Sequence, residues 1–161
     1  VGRGLERRAL MDAAADARHE LLETIAAAAG HLGTAIGWLT LAYDHLDDQT
    51  ADTLEEVLFG PVQKAYGRAR RTHDGFAQRF ALEAGEITPA EPHAGNKQPR
   101  ELIQHGADEV AHANAMLVEL QDSMRPVEVG DAELRAGLTE VRALIADVPS
   151  ASRGLLSRLG R

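Results

Sequence analysis

Seven histidines stand among the 161 residues of this chain, and three of them lie in helical contexts that also carry Asp or Glu. His105, Glu109, His112 and Met116 follow one another at steps of four, three and four, which places them along one side of a helix. Glu109 and His112 make a Glu-x-x-His pair, a carboxylate and an imidazole one turn apart that can share one ion. Oxygen and imidazole donors together suit iron, zinc or manganese. The chain has no cysteine, which removes disulfides, thiol catalysis and thiolate metal sites at once, so any metal depends on His, Asp and Glu.

His73 lies on the apolar stripe of another helix, between Ala69 and Phe76. In an antiparallel arrangement it falls at about the height of Glu109, and the metal candidates are therefore His73, His105, Glu109 and His112. The competing reading makes His105 and His112 solvated residues at the edge of an apolar face, and His73 a core histidine with a nearby acceptor. A dinuclear carboxylate centre would need a second inward pair; the nearest, Asp16 with His19, points away from the stripe of its own helix. Asp44-His45-Leu46-Asp47-Asp48 reads as a polar helix end and turn. Lys64, Arg68, Arg70, Arg71 and Arg79 give one helix a basic face, which pairs with neighbouring acids or meets an acidic partner. There is no Gly-rich phosphate loop, nucleophile elbow or Ser-His-Asp ordering.

The elements that must position these residues are helices. Leu10, Ala14, Ala17, Leu21, Ile25, Ala28, Leu32, Ile36, Leu39, Tyr43 and Leu46 are separated by three or four residues throughout, a spacing no strand gives. Gly30, Gly33 and Gly37 lie together on the side away from that stripe. Each lowers helix propensity by about 1 kcal/mol relative to alanine, but the apolar phase continues through them, so a continuous or gently bent helix is expected, with the glycines as a face for close packing. Thr53 with Glu56 makes a capping box for a second helix from about residue 51 to Ala84, kinked at Pro61. A loop with three prolines follows from Gly85 to Pro99. Pro99 starts a third helix, which Arg125-Pro126 ends, and Gly130-Asp131 opens a fourth, closed by Pro149. Met and aromatic residues are few and no strand signal is present. The expected fold is all-α: an elongated antiparallel bundle of four main helices built on a long helical hairpin, occupying residues 1–149, with a short amphipathic tail at 150–161.

A formal charge of −8 argues against general nucleic-acid binding, which needs a basic surface. The uncharged run from Thr24 to Tyr43 approaches spanning length, but its three glycines, three threonines and one-sided pattern are those of a soluble helix, and the expectation is no membrane span. The first residues contain no apolar core of a signal peptide, which gives a cytoplasmic expectation. Two functions from different classes follow. The first is a non-enzymatic bundle acting by association, as a homodimer through Gly30, Gly33 and Gly37 or with a protein partner through Leu155, Leu156 and Leu159 of the tail. The second is a bundle holding iron, zinc or manganese in the His/carboxylate cluster. A third is a small-ligand sensor with an apolar cavity, since aromatics make up only 4% of the chain.

Overall fold

The computed structural model describes residues 2–160, all of whose regular structure is helical. Helix α1 runs unbroken from Gly2 to Tyr43 through all three mid-helix glycines. At ~1.5 Å per residue it extends roughly 60 Å. Asp47 then caps α2 (Asp48–Leu54): its carboxylate accepts from the Thr50 amide at 2.9 Å and from the Thr50 hydroxyl at 2.9 Å. These bonds hold the Asp47 carboxyl below the ordinary aspartate range. The helix start is thus earlier than the Thr53 box predicts, because Asp47 satisfies the orphan amides first.

The expected single kinked helix is three consecutive pieces. After α2 the chain takes a π-helical stretch, Glu55–Phe59, and then α3, Gly60–Arg79. The Gly60 amide reaches back to the Glu55 carbonyl, and the wider turn places Pro61 in the first turn of α3, where its missing N–H costs nothing. Helix α3 ends before Ala84. Ala81 takes a left-handed φ of 53°, with the Ala81 amide on the Gln78 carbonyl and the Leu82 amide on that of Ala77, a Schellman closure built without glycine.

Helices α4 (Pro99–Asp122), α5 (Arg125–Val129), α6 (Ala132–Ile145) and α7 (Val148–Leu159) complete the chain. Pro149 opens α7 instead of closing α6, again a first-turn proline. Helix α1 packs on α3 and α4, and α6 packs mainly on α3 with a smaller contact to α4. The side-chain pairs Gly33 with Tyr66 and Arg18 with Phe80 make α1 and α3 antiparallel, and His31 with His112 and Trp38 with His105 make α1 and α4 antiparallel. Helices α3 and α4 therefore run the same way at opposite corners, and the segment from residue 80 to 98 is the long crossover that joins them.

The core is aliphatic, with Leu21, Ile25, Leu32, Leu54, Leu117 and Leu134 fully enclosed and Phe76 its one fully buried aromatic ring. Alanines at positions 28, 29, 35, 65 and 113 let the helices approach closely. Helix α7 lies against α4 and the π-helical stretch. Its Leu155 and Leu156 are buried in the shared core and Leu159 is half-buried, so most of the tail's apolar surface is taken up inside the chain. The bundle ends near residue 18 of α1, where the Arg18 guanidinium lies 4.7 Å from the centre of the Phe80 ring and Glu20 pairs with Arg125 at 3.4 Å. The turns before that point project past α3 and α4, and Leu10, on the predicted stripe, is 72% exposed. By length and composition α1 is long and apolar enough to cross a membrane, and 44% of its most apolar window is buried within the bundle.

Leu155→Ala is expected to cost about 2–5 kcal/mol, as for other enclosed leucines, and to lower the urea midpoint accordingly. Leu10→Ala, on the projecting turns, is expected to stay within about 0.5 kcal/mol of the parent.

Candidate metal centre on the seam between helices one and four

The register of α1 against α4 is fixed at Gly106, where a Cβ would meet Leu39 Cδ2 at 2.9 Å; only a glycine allows that separation. At the adjacent residues, the His105 ring stacks on Trp38 with centroids 4.5 Å apart and planes 19° from parallel. Continuing along the seam, His31 of α1 faces Glu109 and His112 of α4. His31 Nδ1 is 2.6 Å from Glu109 Oε2, and the His31 and His112 rings meet edge to face with centroids 5.5 Å apart. One donor atom from each of the three residues lies within 4.8 Å of the other two. Two imidazoles and a carboxylate on rigid, packed helices thus converge on one point.

The surroundings suit a partly solvated ion. The Glu109 side chain is 23% exposed and His31 37%, while His112 lies at the surface. Donors around a tetrahedral ion bonded at ~2.0–2.1 Å stand roughly 3.4 Å apart, so the three donor atoms, within 4.8 Å of one another, would draw together to share one ion. Without an ion, the short His31–Glu109 contact holds both groups in place.

Of the four residues nominated from sequence, Glu109 and His112 are in this cluster, and His105 and His73 are not. His105 stands one turn away with its ring committed to Trp38. His73 is 1% exposed on α3, which packs chiefly on α1 and α6 and so is remote from the α1–α4 seam. Its Nδ1 lies 2.9 Å from Asp74 Oδ1, and its Nε2 has no partner among the described residues. His31 was missed, since it sits beside the stripe of α1 among glycines and carries no carboxylate at helical spacing. Only the pairing of positions 31 and 112 across two antiparallel helices would have found it.

The glycine face of α1 is covered mainly by the crossover, with Tyr66 of α3 also against Gly33. A Cβ on Gly33 would meet Pro89 Cβ at 2.8 Å and one on Gly37 would meet Pro92 Cδ at 2.7 Å, while Gly30 has open space. Between the two prolines the Ala90 amide donates to Thr34 Oγ1 at 3.0 Å, and Lys97 lies 5.8 Å from the centre of the Trp38 ring. The crossover is thereby strapped to α1. It leaves a groove of about 380 Å³ bounded by Ala26, Gly30, His31 and Glu109 on one side and by Glu86 and Thr88 on the other.

Two of the basic residues of α3, and Asn114 of α4, have partners within the chain. Arg68 binds Glu140 at 2.6 Å, and Arg79 binds Asp131 and, at 2.7 Å, Glu133, so two of the basic residues of α3 fasten it to α6. Asn114 is half-buried and its Oδ1 accepts from Arg142 at 3.4 Å. No protein-family model matches the chain, and neither a curated protein nor a solved structure is detectably similar to it.

Gly33→Ala is expected to dislodge the strap while the bundle stays helical. Limited proteolysis should then cut within residues 85–98 several-fold faster than in the parent, with the far-ultraviolet circular dichroism unchanged.

Proposed function

We propose that the protein is a helical bundle that binds one divalent transition-metal ion through His31, Glu109 and His112. The observation that carries this reading is the convergence of two imidazoles and a carboxylate from two antiparallel helices, one of them a residue that no local motif selects. A two-His, one-carboxylate set suits Fe²⁺, Zn²⁺ or Mn²⁺ and leaves coordination positions unfilled. Those positions border the groove under the strap, where a small exogenous ligand has access to the ion. Metal affinity should weaken on acidification, because protons compete for the imidazole nitrogens.

The test is elemental analysis of untagged protein purified without chelator, together with titration of the apo protein with Zn²⁺. Near-stoichiometric metal is expected in the parent, and His112→Ala or His31→Ala should weaken binding by roughly 100-fold or more, beyond what loss of an outer partner does. A parent protein that contains no metal and cannot be loaded would overturn the reading.

A second reading, association as a homodimer, is favoured by one observation. Leu5, Leu10 and Met11 are 64%, 72% and 66% exposed on the projecting turns of α1, an apolar set that a second copy would cover. Light scattering across micromolar to millimolar protein should give a dimer that Leu10→Glu converts to monomer; a monomer throughout that range would exclude it.

A further inference from the structure

We infer that Glu86, carried by the crossover strap, is the fourth protein ligand of the ion, so that metal binding ties the strap more firmly to the bundle. The inference rests on the metal reading above and adds a residue from a separate element of the chain.

Three protein donors leave a tetrahedral or larger coordination sphere incomplete. The groove that borders His31 and Glu109 is walled on its far side by Glu86 and Thr88, and Glu86 is the only further side chain with metal-binding chemistry on that wall. Its place is set by the contacts of the strap with α1. Ala90, four residues on, is bonded to Thr34, and Thr34 is three residues from His31 on the same helix. Pro89 is seated on Gly33. The strap is therefore anchored within one helical turn of the metal cluster, and Ile87, next to Glu86, is half-buried against the core, so it is the Glu86 side chain that remains to move.

Gly85 supplies the joint. Its φ is +64°, and an added Cβ would meet nothing within 4 Å, so glycine is used here for its backbone conformation and not for want of space. Glu86 is exposed, and among the described residues it takes part in no ion pair or side-chain hydrogen bond. Arg70 and Asp74 border it on the side away from the cluster, and neither engages it. A carboxylate free of partners at the rim of the groove can rotate into it, and with Glu109 it would balance the two positive charges of the ion while both histidines stay neutral.

The experiment compares the parent, Glu86→Gln and His112→Ala by calorimetric titration with Zn²⁺ and by limited proteolysis of the strap with and without Zn²⁺. Glu86 is a surface residue, so its variant should fold as the parent does. Glu86→Gln is expected to bind one Zn²⁺ about 10–100-fold more weakly than the parent and to lose the zinc-dependent protection of residues 85–98, whereas His112→Ala should not bind at this site. If Glu86→Gln binds Zn²⁺ with parental affinity while His112→Ala does not, the fourth-ligand assignment is wrong and the three-residue centre stands. If the parent and His112→Ala bind Zn²⁺ identically, both fail.

Discussion

The close approach of α1 and α4 at Gly106 sets the position of everything that follows. A side chain at residue 106 would have to displace Leu39, and Ala35 contributes its backbone carbonyl to the same contact. Helices held this near each other cannot slide, because ridges of side chains on one are seated in grooves on the other. That fixed register brings Trp38 to His105, and His31 to Glu109 and His112. The same device recurs at the opposite edge, where Gly137 of α6 accepts Thr72 of α3 and the arginines of α3 reach the acids of α6.

The parallel course of α3 and α4 has a consequence for the site. Two helices pointing the same way require a connection that travels the length of the bundle, and that connection has to lie on a surface. Here it lies along α1, over Gly33 and Gly37, where the absence of Cβ atoms makes room for proline rings. Thr34 supplies the one hydrogen bond that registers it. A segment forced by topology thus becomes the second wall of the groove beside the histidines. Its tether is one side-chain hydrogen bond, two proline contacts, Lys97 over Trp38 and the half-buried Leu82, Ile87 and Ala94, which is modest compared with the packing of the helices it joins, and such segments are the ones that open first.

The His31–Glu109–His112 cluster sits between core and solvent. Deeper burial would charge a large desolvation cost for a carboxylate, and full exposure would leave the side chains free to rotate. At the helix seam, backbone positions are rigid while the donors keep contact with water. The His31–Glu109 bond satisfies the site in the absence of an ion, so binding would exchange one favourable arrangement for another without a prior unfolding step. His73 presents the contrast: it is enclosed, bonded on one nitrogen to a neighbour in its own helix, and distant from the seam.

The sequence by itself determined the helices. Spacing of three and four residues, the proline at 99, and the glycines and acids around the turns are local signals, and they act through backbone geometry within a few residues of where they stand; Pro149 marked a boundary but opens a helix where it was expected to close one. Glu109 and His112 were legible as a pair for the same reason, being one turn apart on one helix. What only the tertiary structure decided is which helix lies beside which, and at what height. The antiparallel hairpin suggested His73 as the partner of Glu109, but α3 is diagonal to α4, and the residue that arrives is His31 from α1. The crossover's path over the glycine face, the enclosure of Leu155 and Leu156, and the uncovered start of α1 are of the same kind. Each depends on contacts between segments tens of residues apart, whose register is set by side-chain packing across the whole bundle and leaves no periodic trace in the chain.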